Sequence, residues 1–278
     1  MAIGLGVVNP YTRHPALLAM ETAALAGVAP GRVVLGLGTS NRRWIEKQMA
    51  IPFKAPLASL RESVEIVRRL LAGERLTYHG DCFTLEDVAL DFTPAEREVP
   101  ILLGAKGPKA PRLAGEIADG VHCSALGSPA HVRRVRETTA ATRRGGPGAF
   151  AVIAYVPVAV SRDGGQAREW VKPLLARCLG VLHGQSILAD AGLDAARTLP
   201  FREAFVRGER AARLVTDELV DAFAGAGTPE ECRRALRPWA EAGLDAAIAV
   251  VPGSAGMPEQ LRLIGAELAP SWKELRCR

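Results

Sequence analysis

Two lysines flank a glycine in Leu103-Gly104-Ala105-Lys106-Gly107-Pro108-Lys109-Ala110-Pro111, where an apolar run passes through a flexible turn straight into a helical pattern. A helix N-terminus leaves backbone N–H groups without internal acceptors, and two ammonium groups beside it would complete a phosphate seat. The stretch is not the G-x-x-x-x-G-K-[ST] pattern of a nucleoside triphosphatase. From the residues alone, a phosphate seat and a plain strand-to-helix turn both stand. A second cluster, Asn9-Pro10-Tyr11-Thr12-Arg13-His14-Pro15, comes after an apolar run and precedes a helix beginning near Ala16. Barrel enzymes keep polar site residues at such strand ends, while Pro15 at the first helical position with turn residues before it explains the segment equally well. A third, Leu35-Gly36-Leu37-Gly38-Thr39-Ser40-Asn41, begins like a dinucleotide fingerprint, but Asn41 stands where the third glycine belongs and Arg42-Arg43-Trp44 opens no small-residue helix. The plainer reading is a tight turn whose glycines relieve crowding and whose Thr39 and Ser40 hydroxyls cap the segment after them.

Other chemistries find less support. Cys82, Cys123, Cys178, Cys232 and Cys277 contain no C-x-x-C pair, and His14, His79, His122, His131 and His183 show no H-x-x-x-H spacing. Neither a zinc site nor a disulfide framework is indicated, so no metal and reduced thiols are expected. No Ser-His-Asp or Cys-His arrangement and no acidic pair stands apart from helix-surface charges, so no catalytic residue is assigned.

The elements that would position these residues alternate. Short apolar runs (Ile3 to Val8, Val33 to Leu37, Ile101 to Leu103, Val121 to Cys123, Phe150 to Val160, Ala246 to Val251) are separated by helical patterns, which reads as a parallel α/β fold. Leu60, Val64, Val67 and Leu71 form one core-facing stripe, with Arg61, Glu62, Glu65, Arg68 and Arg69 turned outward; Ala110, Leu113, Ala114 and Ile117 form another, and Leu261, Ile264, Gly265 and Leu268 a third. Residues 74–90 break the rhythm as a hairpin excursion, and 163–230 is a mainly helical insertion over one end of the sheet. With no repeat or linker, a single domain over 1–278 is expected.

The 278 residues are 48% hydrophobic and 23% charged, with no apolar run near the roughly 20 residues that a membrane helix needs. No secretory leader is visible, so a cytoplasmic location is expected. The formal charge of +5 is dispersed over helices without interleaved aromatics, which argues against nucleic acid and suits an anionic small molecule. Helices rich in Ala, Leu and Val suit a homodimer face.

Taken together, these stretches resemble the bacterial luciferase-like superfamily, and within it the deazaflavin-dependent methylenetetrahydromethanopterin reductase type. The matching pieces are Gly4 to Pro15, Gly31 to Gly38, Pro56 to Gly73, Pro100 to Gly120 with Ala118-Asp119-Gly120, and Gly227-Thr228-Pro229-Glu230-Glu231, in family order over nearly the whole chain. The resemblance implies a TIM (β/α)8 barrel lacking the first two β/α units, because the chain opens at what resembles the third strand. Open strand edges that a partner or an upstream segment covers are the corresponding expectation. It also implies a cofactor ring at the strands' C-terminal ends. Gly6 and Val7 would bracket a cis peptide behind that ring, Asn9 would contact it, and Gly38, Thr39 and Ser40 would line it. Lys106, Gly107, Lys109 and Ala110 would hold the phosphate end. Asn41 and Gly127 stand where sugar-phosphate-oxidising relatives use a catalytic glutamate and a phosphate-binding lysine, which disfavours that activity. The leading expectation is an oxidoreductase that exchanges a hydride between coenzyme F420 and a small organic substrate. The alternatives are a monooxygenase using flavin mononucleotide (FMN) and a non-catalytic cofactor-binding or subunit protein.

Overall fold

The computed structural model describes residues 2–143, 150–253 and 256–276; Cys277 lies outside them. They form two compact units, one from residues 2–105, 109–122, 138–143 and 150–151, the other from 106–108, 123–137, 152–253 and 256–276.

The first unit runs through β1 (Ile3–Val8), α1 (Pro15–Val28), β2 (Val33–Leu37), α2 (Pro56–Leu71), the hairpin strands β3 (Leu76–His79) and β4 (Thr84–Val88), β5 (Ile101–Ala105), α3 (Lys109–Ile117) and β6 (Gly120–Cys123) as far as His122. Strand β1 pairs in parallel with β2, Leu5 opposite Leu35, and β2 with β5, Leu37 opposite Leu103. Leu35, Leu37, Ile101 and Leu103 are fully buried, which is why these strands read as continuous apolar runs rather than alternating ones. Strand β1, equally apolar in sequence, has β2 as its one neighbour among the described residues and exposes Gly4, Gly6 and Val7. Helix α1 begins at Pro15, and the His14 ring nitrogen caps the Ala16 amide.

On α2, Leu60, Val64, Val67 and Leu71 are buried as their spacing predicts. Glu62 departs from expectation: it is buried, and its carboxylate accepts the amides of Asp81, Cys82 and Phe83, which ties down the β3–β4 turn. A polarity pattern assigns any carboxylate to solvent and cannot see backbone donors arriving from 19 residues away. Asp119, just before β6, accepts the Ile101 amide at 2.8 Å and Arg68 Nη2 at 2.8 Å, stitching the starts of two strands to α2.

The second unit contains α4 (Pro129–Thr142) as far as Glu137, β7 (Ala151–Val160) from Val152 on, α5 (Gly164–Leu182), α6 (Ser186–Ala189), α7 (Ala195–Arg207), α8 (Asp217–Phe223), β8 (Gly225–Gly227), α9 (Pro229–Glu241), β9 (Ala246–Val250), α10 (Met257–Leu263) and α11 (Ala269–Arg276). Strand β7 is parallel to β9 along Ile153–Pro157 and to β8 along Val158–Val160. Asp245 repeats the device of Asp119, accepting the Val152 amide at 2.7 Å and pairing with Arg136. The helical run expected over 163–230 stops short of 230, because Gly225–Gly227 is a strand. Its three small residues carry no periodicity, and a side chain on Gly225 would meet Leu236 of α9 at 2.9 Å. The Gly227-Thr228-Pro229-Glu230-Glu231 motif forms a capping box on α9, with Thr228 and Glu231 each accepting the other's amide. Leu261 and Gly265 are exposed, contrary to the stripe read from sequence. The buried positions are Gln260, Leu263 and Leu268, because Gln260 accepts the Val160 amide from inside the core and a π-helical segment over Ile264–Leu268 shifts the phase.

Helices α4 and α6 meet at a buried imidazole. His131 Nδ1 lies 2.6 Å from Asp190 Oδ2, which also receives Arg134, and Nε2 has no hydrogen-bond partner among the described residues. Burial lowers the His131 pKa, and Asp190 raises it by less. The folded state thus favours the neutral ring: its contribution is complete above the unfolded value of about 6.5 and is lost as pH falls through the lower folded value. Thermal melts between about pH 8 and pH 5 should show a loss below about 6.5 that is shallower in His131→Asn; an identical slope in the variant would exclude His131 as its source.

Candidate cofactor site

Val7, 39% exposed at the C-terminal end of β1, is bedded on three glycines. A side chain on Gly38 would lie 2.6 Å from Val7 Cγ2; on Gly36 it would lie 3.2 Å from Cγ1 and collide with the Leu5 carbonyl; on Gly104 it would lie 3.4 Å from Cγ1. Two adjacent strands, β2 and β5, thus carry glycines beneath one outward-facing apolar surface. The Gly6–Val7 peptide bond is cis, as the resemblance implies.

Beside this surface the loop after β1 is fixed by Asn9. Its Oδ1 accepts Tyr11 N at 3.1 Å, Thr12 N at 2.9 Å and Thr12 Oγ1 at 3.1 Å, an Asx turn that consumes the carboxamide oxygen and leaves the amide N–H groups as donors. Tyr11 donates its hydroxyl to the Lys54 carbonyl and packs on Phe53, 4.9 Å between ring centroids. After β2, Ser40 sits at φ 60°, a left-handed conformation that costs a non-glycine residue of order 1 kcal/mol and is concentrated at functional sites. The hydroxyls of Thr39 and Ser40 do not cap the next helix. Asn41 does, accepting Trp44 N at 2.9 Å ahead of a π-helical segment over Arg43–Gln48. That cap explains why asparagine replaces the third glycine, and it removes the dinucleotide-fingerprint reading.

After β5, Lys109 and Ala110 open α3, whose first-turn N–H groups have no intrahelical acceptors. Gly6, Val7, Asn9, Gly38, Thr39, Ser40, Lys109 and Ala110 all belong to the first unit, at the C-terminal ends of β1, β2 and β5; Lys106 and Gly107 fall in the second. Burial lowers the Lys106 pKa even though much of the side chain reaches solvent, because protein packs around its ammonium without a carboxylate partner among the described residues. Gly36 is the participant that sequence reading does not assign to the site, and Gly104, read as part of the phosphate turn, lies against Val7 instead. The available signal was a glycine inside an otherwise apolar strand, a mark of close backbone approach.

Residues 1–246 match the family model described as luciferase-like monooxygenase. The chain is 32% identical over 281 residues to the 5,10-methylenetetrahydromethanopterin reductase of Archaeoglobus fulgidus, covering 98% of this chain and 83% of that protein. It is 30% identical over 271 residues to the enzyme of the same name from Methanolobus tindarius, covering 96% and 82%. Among solved structures, the coenzyme F420 dependent tetrahydromethanopterin reductase from Methanopyrus kandleri superposes with a TM-score of 0.82 at 25% identity, over 98% of this chain and 83% of that one.

Proposed function

Because the chain belongs to the luciferase-like monooxygenase family, we propose that it is an oxidoreductase that uses coenzyme F420 to exchange a hydride with a small organic substrate, working as one barrel domain. The observation that carries this reading is the Val7 surface, kept clear by Gly36 and Gly38, where any other residue would intrude, and flanked by Gly104. Such a cradle fits the flat ring of a deazaflavin, with Val7 behind it, the Asn9 amide as a donor to its edge, and Thr39 and Ser40 beside it. Lys106, Gly107, Lys109 and Ala110 would hold the phosphate end. Bound there, the coenzyme supplies a two-electron hydride equivalent. The protein's work is to orient the ring and keep water from it, which accounts for the lack of an assigned catalytic side chain.

Titration with coenzyme F420 and FMN side by side tests this. Coenzyme F420 should bind more tightly, and added salt should weaken it because its tail is polyanionic. Tighter FMN binding with oxygen consumption by the reduced complex would favour the monooxygenase alternative, and binding without any turnover, or binding of neither, would favour the non-catalytic cofactor-binding or subunit reading.

The same proposal includes a homodimer and a cytoplasmic location. Helix α1 is apolar on both faces: Leu18, Ala19, Ala23 and Ala26 are buried, while Leu17, Met20 and Val28 are 41%, 41% and 81% exposed. Light scattering should give twice the chain mass, and Leu17→Glu with Val28→Glu should return it to one; a wild-type monomer would refute the dimer. Cys82, Cys123, Cys178 and Cys232 are free thiols, which suits a reducing compartment.

A further inference from the structure

Within the second unit, a groove of about 560 Å³ is lined by Pro173 and Arg177 of α5, Phe201 and Phe205 of α7, Arg210 beyond it, and Gly253 after β9. That volume lies within the range of small-molecule sites, roughly 300–1,000 Å³. Its place in the unit is informative. The core of α5 to α8 packs on Leu126, Ala159 and Ala226, at or just past the C-terminal ends of β6, β7 and β8, and Gly253 lies just past the end of β9. In parallel α/β barrels that end of the strands is where ligands bind.

The groove pairs apolar walls with uncompensated charge. Phe201 is 4% exposed and gives the floor, while Phe205 and Pro173 give the sides. Arg177 and Arg210 form no ion pair among the described residues, and Glu209, the one carboxylate among the described lining residues, is taken by Arg207 at 2.7 Å. We propose that this groove binds a small organic anion, a carboxylate or phosphate ester with an aromatic or aliphatic body. The body lies against Phe201, Phe205 and Pro173, and the charged group is met by Arg177 and Arg210, whose guanidinium forks match such oxygens. The proposal goes beyond the cofactor reading and does not depend on it.

Fluorescence titration of the full chain with 1-anilinonaphthalene-8-sulfonate, an aromatic anion, and with N-phenyl-1-naphthylamine, its uncharged counterpart, tests the proposal. One saturable sulfonate site per chain is expected, displaced by decanoate. The double substitution Arg177→Glu, Arg210→Glu should weaken sulfonate binding at least about tenfold and the neutral amine by much less, because only the charge term is removed. Phe205→Ala should weaken both. Both arginines are exposed and make no ion pair among the described residues, so the variants should melt as the wild type does; Arg177→Gln and Arg210→Gln singly provide a milder check. Sulfonate affinity unchanged by the charge variants, or several unsaturated sites, overturns the groove. Coenzyme F420 titration of the same variants separates the two readings. An unchanged affinity supports a distinct site, a parallel fall overturns it, and failure of the wild type to bind coenzyme F420 removes the proposed function while leaving the groove standing.

Discussion

Gly36→Ala is expected to lower the melting temperature by roughly 6–10 °C, from about 3 kcal/mol of overpacking in a chain of this size. The new methyl would collide with the Leu5 carbonyl of the paired strand, and backbone cannot rotate out of the way. Gly38→Ala, two residues on in the same segment, should behave differently. Its methyl meets Val7 Cγ2 at 2.6 Å, on a partly exposed side chain at the end of β1 rather than on the backbone of a paired strand. Melting should change little, while coenzyme F420 affinity should fall by about tenfold or more, because Val7 is pushed into the space proposed for the ring and, being β-branched, has few rotamers to retreat into. Gly4→Ala is the control: it lies in β1 with nothing within 4 Å of the added carbon and should affect neither. Equal melting for all three variants would show that the glycines are not placed by close approach. An unchanged cofactor affinity in Gly38→Ala would remove Val7 from the site.

These glycines also mark how far the sequence could be read. The parallel α/β arrangement was legible because β2 and β5 are buried on both faces and announce it with unbroken apolar runs. The crowding explanation of Leu35-Gly36-Leu37-Gly38 was legible too, but not what crowds them, since Val7 comes from a strand some 30 residues earlier. The same blindness to distant partners hid Glu62, whose donors lie in another element, and Gln260, which occupies a core position that polarity disguises. Strand β8 escaped because Gly225-Ala226-Gly227 is chosen for thinness beside Leu236 and carries no apolar pattern. Period and polarity report a residue's own burial, while a backbone donor or a neighbouring methyl is a property of the fold. For the site, the resemblance supplied positions that spacing alone left open between a turn and a phosphate seat.

The phosphate seat can be settled at Lys109, which opens α3 and forms no ion pair among the described residues, so its charge is available to a ligand rather than committed to the fold. Lys109→Glu should leave melting unchanged within about 0.5 kcal/mol, as expected for an exposed position. It should nonetheless weaken coenzyme F420 by about 100-fold, since a charge-assisted contact of roughly 1.5–3 kcal/mol is lost and a repulsion replaces it. The macrodipole of α3 sharpens the expectation. Its N-terminus carries partial positive charge, so a glutamate there is tolerated or even favoured by the helix itself. Any small change in stability should therefore be opposite in sign to the change in binding. Lys106→Glu, in the turn just before, should act on affinity in the same sense, because the Lys106 ammonium is held where burial already lowers its pKa and an anion would relieve it. A shallower salt dependence of coenzyme F420 binding in both variants completes the test, because each removes one screened attraction. Wild-type affinity and salt slope in Lys109→Glu would move the phosphate away from this turn and leave 104–110 as an ordinary strand-to-helix connection.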